Sequence, residues 1–122
     1  MINEIQLDWY RQLEDLFRLL KKEEQEHFLV LSLNKNNEVI NKDLIAIGTL
    51  DFTIIHPRDV FRAAIRNNAS KIVLLHNHPS GNSNPSNQDI ATTIELIKCG
   101  ELLGIGVLDH LIFGEAKIFS FK

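Results

Sequence analysis

The stretch from residue 71 to residue 104 changes character twice, and this constrains the fold more than any other feature of the sequence. It opens with KIVLLHN, a short apolar run typical of a buried strand. HPSGNSNPS follows, and its many proline, glycine, serine and asparagine residues predict a loop. Ser86 and Asp89 then have the spacing of a capping box with aspartate in place of glutamate. This predicts a helix that begins there and runs to about Gly104.

The remaining segments complete an α/β pattern. Residues 4–24 have apolar side chains at three- and four-residue spacing, which predicts an amphipathic helix that packs on its own sheet or on a neighbour; these side chains are Leu7, Tyr10, Leu13, Phe17 and Leu20. HFLVLSLN and EVINKDLIAIGTL predict a hairpin or a meander, RDVFRAAIRNNA predicts a second helix, and IGVLDHLIFG and KIFSFK predict two final strands. Strands and helices interleave without a strict βαβ repeat. We therefore expect a single-domain mixed β-sheet flanked by helices, with an N-terminal helix (residues 1–24) before the domain proper (residues 25–122).

Composition limits the setting in which the chain works. The 122 residues carry a net charge of −3, which gives the whole domain no general attraction to a phosphate backbone. The single cysteine, Cys99, cannot form an internal disulfide and fits a reducing compartment. No segment approaches the roughly 18 uncharged apolar residues of a membrane-spanning helix. We expect a soluble, cytoplasmic protein without a membrane partner.

Two histidines and a carboxylate lie close together in the strand–loop–helix segment. Residues two apart on a strand project to the same side, so His76 and His78 can converge on one point. Asp89 lies in the first turn of the following helix, and the loop can fold that turn back toward the strand. Two imidazoles and a carboxylate fill three positions of a tetrahedral Zn²⁺ site and leave the fourth open, as in catalytic sites. A plain helix cap and a polar turn are the structural alternative for the same residues.

The pattern of His76 and His78 before a proline, followed by Ser86 and Asp89, resembles the zinc signature of the JAMM (MPN-type) metalloprotease superfamily. Further stretches are similar to the bacterial RadC family: EHFLVLSLN, HPRDVFRAAIRNNA, HNHPSGNSNPSNQDI and LLGIGVLDHLI. The resemblance covers about residues 24–122. It implies a cytidine-deaminase-like JAB/MPN fold in which His76, His78 and Asp89 hold zinc.

The resemblance also implies two catalytic residues. Glu26, directly before the first apolar strand, matches the glutamate that acts as the base on water at the metal. Ser86 matches the serine that donates a hydrogen bond to the oxyanion, a contact that lowers a barrier by roughly 2.7–4 kcal/mol. Capping and oxyanion binding compete for the same hydroxyl, and the sequence leaves both roles open.

Two further groups of residues have both structural and functional interpretations. Asp109 and His110 interrupt an apolar strand. As neighbours on a strand they face opposite sides, so we expect a buried hydrogen-bonded pair, with support of the zinc histidines as the alternative. Three arginines at four-residue steps share one helical face, which is either solvated or a DNA-binding patch; they are Arg58, Arg62 and Arg66.

Two classes of function remain. The first is a zinc-dependent hydrolase that cleaves a peptide or isopeptide bond in a peptide or protein substrate. The second, from the family's traditional label of DNA repair protein, is a DNA-associated accessory factor or nuclease. Longer family members carry an N-terminal helix-hairpin-helix module, and nothing in residues 1–26 matches one. We therefore expect a short form in which the hydrolase is favoured and DNA binding is weakly supported, with a homo-oligomer left open.

Overall fold

The computed structural model describes residues 13–20, 22–48 and 55–122. Its described part is built on a five-stranded sheet with strand order β2-β1-β3-β4-β5. β3 and β4 are parallel and the other neighbouring pairs are antiparallel. In chain order, the elements are α1 (residues 13–20), β1 (Glu26–Leu33), β2 (Val39–Gly48), α2 (Pro57–Arg66), β3 (Lys71–Asn77), α3 (Asn87–Leu103), β4 (Gly106–Phe113) and β5 (Ile118–Ser120). The predicted mixed sheet flanked by helices is confirmed.

Helices cover both faces of the sheet, so the central strands are apolar on both sides. On one face, Leu13, Leu16 and Leu20 of α1 are buried against alternate residues of β1, β3 and β4. On the other face, α2 and α3 pack over the intervening residues of β1 and β3. α1 therefore packs on its own sheet, which was one of the two predicted arrangements.

The first helix differs from its prediction at its end. Leu7 and Tyr10 lie outside the described residues, but residues 22–25 form a turn, whereas the sequence pattern predicted helix as far as residue 24. The Asn77 side chain donates to the carbonyls of Leu20 and Gln25, at 3.4 and 3.0 Å. These bonds fix the turn into β1, and no periodicity within residues 4–24 encodes them. The division of the chain between residues 24 and 25 stays a prediction.

The strand–loop–helix segment forms as predicted. β3 ends at Asn77, the loop follows, and α3 runs from Asn87 to Leu103 with a left-handed Gly104 at its end. α3 is the connection between the parallel strands β3 and β4, so it packs on the sheet and begins near the end of β3. Within the described ranges, each helix is too short or too polar to span a lipid bilayer.

Candidate metal centre

Four side chains with metal-ligating atoms converge at the carboxyl end of β3. His76 lies in β3, His78 follows it, Asp89 is in the first turn of α3 and Glu26 begins β1. β1 runs antiparallel to β3 with Phe28 opposite His76, so the start of β1 lies beside the end of β3. One potential ligand atom from each of the four lies within 4.8 Å of the others. We call these four residues the ligand cluster.

Asp89 lies across the two histidines of the ligand cluster. Its Oδ1 is 3.2 Å from His76 Nε2, its Oδ2 is 3.0 Å from His78 Nε2, and the two Nε2 atoms are 3.1 Å apart. Glu26 Oε1 approaches to 3.5 Å from His76 Nε2. The His76 side chain is 1% exposed, whereas those of Glu26, Asp89 and His78 are 15%, 13% and 17% exposed. The cluster is therefore closed around His76 and reachable by solvent at the other three.

A backbone carbonyl orients the His78 ring. His78 Nδ1 lies 2.8 Å from the carbonyl oxygen of Asn82. Because a carbonyl oxygen only accepts, Nδ1 must carry the hydrogen, and the neutral ring then has its lone pair on Nε2. Nε2 is therefore the ring nitrogen available to a metal ion, and it faces the ligand cluster beside the Asp89 carboxylate, the orientation that metal-binding histidines adopt.

The loop that supplies Asn82 is tied to the turn between β4 and β5. His78 N–H donates to the Phe113 carbonyl at 2.8 Å, and Glu115 N–H donates to the Gly81 carbonyl at 2.9 Å. Gly114 passes so close that a Cβ there would lie 2.6 Å from the Gly81 oxygen. Only a residue without a side chain fits this approach, so Gly114 lets the loop pack firmly beside the cluster.

Ser86 forms the predicted capping box with Asp89. Its hydroxyl oxygen accepts from Asp89 N–H at 3.0 Å, and Asp89 Oδ2 accepts from Ser86 N–H at 2.8 Å. From the sequence, capping and oxyanion binding are expected to compete for this hydroxyl. In the structure the cap uses a lone pair of the Ser86 oxygen, and the hydroxyl hydrogen takes no part in that bond. The two roles therefore use different parts of the same group.

The cluster favours positive charge. Burial would raise the pKa of Asp89, but hydrogen bonds with the two histidines outweigh burial and hold this pKa well below its ordinary value. The hydrogen bond with Asp89 in turn raises the pKa of His78. A carboxylate that stays ionised beside two imidazoles provides an anionic site for a cation.

Asp109 and His110 occupy opposite faces of β4, as expected of neighbours on a strand. The Asp109 carboxylate accepts from His110 N–H, Ser120 Oγ and Lys122 N–H at 2.7, 2.6 and 3.1 Å, and so ties β4 to the C-terminal segment. His110 lies on the other face, with Nε2 2.8 Å from His76 Nδ1. Burial lowers the pKa of His110 to about 3, so this ring is neutral at pH 7. The two residues are thus a buried hydrogen-bonded pair through the His110 backbone, and the His110 ring also contacts the cluster.

Two residues that support the cluster's histidines, one directly and one through His110, were not found from the sequence. Asn82 orients His78, and Thr93 contacts His110 Nδ1 through its hydroxyl. Thr93 follows Asp89 by four residues in α3 and therefore shares its helical face, which was the available signal for it. Asn82 gave no such signal, because a backbone carbonyl acts there regardless of the side chain.

The three arginines lie together on α2, as predicted, and we call them the arginine row. Arg58, Arg62 and Arg66 line a groove of about 840 Å³ that also contains Phe61, Ile65 and Leu103. Asp59 partly neutralises the row, because its Oδ1 lies 2.6 Å from Arg62 and 3.5 Å from Arg58. The arginine row is separate from the ligand cluster, and its role in DNA binding stays a prediction.

Comparison with known families and proteins agrees with this arrangement. The family model that matches is that of the RadC-like JAB domain, and it matches residues 8–122. The chain belongs to this family. The five-stranded mixed sheet with helices on both faces is the JAB/MPN fold, and the ligand cluster is a candidate metal site within a RadC-like JAB domain.

Three curated relatives of this RadC-like domain are named UPF0758 proteins. One from Staphylococcus haemolyticus is 58% identical over 96 residues, covering 79% of this chain and 42% of the relative. One from Bacillus cereus is 52% identical over 99 residues, covering 81% and 44%. One from Clostridioides difficile is 49% identical over 115 residues, covering 94% and 48%. The chain thus spans about half the length of the curated relatives it matches.

Proposed function

We propose that this RadC-like domain is a zinc-dependent metallohydrolase of the JAMM type that cleaves a peptide or isopeptide bond. The observation that carries the proposal is the ligand cluster, in which two imidazole nitrogens and two carboxylates converge within 4.8 Å. Imidazole nitrogen and carboxylate oxygen are ligands that zinc prefers in catalytic sites. His78 already directs its Nε2 into the cluster, and the anionic Asp89 favours a cation there.

Three of the four residues would hold the metal. His76 and His78 would bind through Nε2 and Asp89 through its carboxylate, in the arrangement that the capping box fixes at the start of α3. When bound, zinc supplies Lewis acidity, which lowers the pKa of water from about 15.7 toward about 7.

Glu26 is the base in this proposal. Its carboxylate lies at the partly exposed side of the cluster, 3.5 Å from His76 Nε2. There Glu26 Oε1 takes a proton from the attacking water as the new carbon–oxygen bond forms. It returns that proton to the departing amine nitrogen as the carbon–nitrogen bond breaks, so the net reaction adds one water across the amide.

Ser86 would stabilise the negative charge that develops on the carbonyl oxygen. Its oxygen is held by Asp89 N–H at 3.0 Å, which fixes the position of the hydroxyl without using its hydrogen. A donor positioned in advance stabilises the transition state because it does not have to reorganise during the reaction.

The decisive experiment uses Glu26→Gln, which removes the base and keeps the size of the side chain. We expect bound zinc, measured by elemental analysis, to stay stoichiometric. Hydrolysis of a peptide library should fall by about 10²–10⁴-fold, the usual contribution of a general base. Glu24→Gln is the matched control, because Glu24 is exposed and outside the cluster. If zinc is lost in Glu26→Gln, Glu26 is a fourth ligand; if hydrolysis persists, Glu26 is not the base.

The second candidate function is association with DNA, with the zinc site structural or acting on phosphodiesters. The arginine row beside an open groove favours it. The Asp59 carboxylate within the row and the net charge of −3 oppose it. A nuclease assay on the same preparation, with and without Glu26→Gln, distinguishes the two candidates, because cleavage of DNA lost in the variant assigns the site to phosphodiesters.

A further inference from the structure

A chain of hydrogen bonds runs behind His76, on the side away from the ligand cluster. His76 Nδ1 lies 2.8 Å from His110 Nε2, and His110 Nδ1 lies 2.5 Å from Thr93 Oγ1. Thr93 Oγ1 then donates to the backbone carbonyl of Asp89 at 2.7 Å. The chain begins at one proposed ligand and ends on the backbone of another. Its members are almost completely buried, with His76 and His110 1% exposed and Thr93 4% exposed.

The last acceptor fixes the direction of every bond in this chain. The Asp89 carbonyl only accepts, so the single Thr93 hydroxyl hydrogen is used there. Thr93 Oγ1 must then accept from His110, which places the His110 hydrogen on Nδ1 and leaves a lone pair on Nε2. That lone pair requires a hydrogen on His76 Nδ1, which leaves Nε2, beside the Asp89 carboxylate, as the ring nitrogen that can give its lone pair to a metal ion.

We propose that Thr93 and His110 are positioning residues that hold His76 in the tautomer whose Nε2 can bind a metal ion. This inference rests on the proposed function, because these hydrogen bonds have the positioning role only if a metal ion occupies the ligand cluster. His78 reaches the same state through one bond to the Asn82 carbonyl. The deeply buried His76 is linked to a backbone carbonyl, that of Asp89, through two side chains, His110 and Thr93.

The same chain links the two ligands mechanically. Asp89 is held at the start of α3 by its cap, and Thr93 lies one turn later on the same face. A displacement of this turn therefore moves the Asp89 carboxylate and the His76 ring together. Partners of this kind, which do not touch the metal, typically contribute 10–100-fold to metal affinity.

The test compares two substitutions at Thr93. Thr93→Val keeps the shape and removes the hydroxyl, whereas Thr93→Ser keeps the hydroxyl. Thr92→Val is the matched control, since Thr92 is the neighbouring threonine in α3 and its hydroxyl accepts from Gln88 instead. Zn²⁺ affinity is measured by competition with a chromophoric chelator, and the thermal midpoint of each metal-free variant is recorded beside it.

We expect Zn²⁺ affinity to fall by about 10–100-fold in Thr93→Val and to stay near the unaltered value in Thr93→Ser and Thr92→Val. A structural role alone would lower the thermal midpoint of Thr93→Val without this loss of affinity, and that result would overturn the inference while leaving the proposed function intact. An unaltered protein that binds no Zn²⁺ overturns both.

A second readout needs no substitution and no metal. Two-bond ¹⁵N–¹H correlations report which ring nitrogen of a histidine carries the hydrogen. In the unaltered, metal-free protein we expect His110 to be protonated on Nδ1 and bare on Nε2. A hydrogen on His110 Nε2 would reverse the chain and overturn the inference, even if Thr93→Val failed to fold.

Discussion

The ligand cluster and the arginine row belong to the same helical side of the sheet, but their polar groups are held very differently. In the cluster, each histidine has a defined partner behind it, and Asp89 is fixed by the cap of α3. In the arginine row, side chains that are 60% and 76% exposed share the carboxylate of Asp59. Positions fixed in advance suit a metal and catalysis, whereas exposed charges suit at most a weak, salt-sensitive contact.

The largest effect should come from removing a ligand. We expect His78→Ala and Asp89→Asn each to abolish stoichiometric Zn²⁺ binding in elemental analysis, because two remaining strong ligands do not retain the ion. Asp89→Asn keeps an oxygen that can accept from Ser86 N–H, so the start of α3 should stay folded. Asp15→Asn, at an exposed position of α1, is the control. If both ligand variants keep their zinc, the ligand cluster is not the metal site, and its contrast with the arginine row is lost.

The next effect concerns Ser86. We expect Ser86→Ala to retain zinc and to lower hydrolysis by about 10²–10³-fold, the usual effect of removing an oxyanion donor. Loss of the cap should also cost about 1 kcal/mol of unfolding free energy. Ser86→Thr, which keeps a hydroxyl, should restore both properties. Chemical denaturation measures the loss of stability, and peptide hydrolysis measures the loss of activity. If Ser86→Ala loses stability alone, Ser86 is only a helix cap.

A smaller effect should follow from disturbing the loop beside the cluster. In Gly114→Ala the new methyl group would lie 2.6 Å from the Gly81 carbonyl, so the loop that carries Asn82 must shift. We expect a loss of about 1–3 kcal/mol in unfolding free energy and weaker Zn²⁺ binding, because His78 loses its fixed orientation. Gly106→Ala is the control, since a Cβ there meets nothing within 4 Å. Equal behaviour of the two variants would show that the loop does not position His78.

The smallest effect should come from the arginine row. We expect Arg62→Glu to leave zinc content and the thermal midpoint nearly unchanged, because exposed ion pairs contribute little to stability. If the row binds DNA, this charge reversal should abolish binding that already weakens steeply as salt rises. Electrophoretic mobility shifts at two salt concentrations measure both properties. Binding that is insensitive to salt and to Arg62 would exclude the row as a DNA contact.

Local pattern was enough to predict several parts of the site. Alternation along β3 places His76 and His78 on one side, and the spacing of Ser86 and Asp89 predicted the cap that the structure contains. Both signals act over a few residues, so backbone geometry alone decides them. The assignment of Glu26 depended instead on resemblance, because its place beside β3 follows from the pairing of β1 with β3.

By itself, therefore, the sequence determined the strand, the loop, the capped helix and the identity of the candidate ligands, since each depends on near neighbours in the chain. Only the tertiary structure decided which groups stand behind those ligands. His110 reaches His76 through strand pairing, Thr93 reaches His110 through the packing of α3, and Gly114 admits the loop beside His78. The direction of hydrogen bonds in a buried site depends on such partners, which are distant in the sequence, so local periodicity does not predict it.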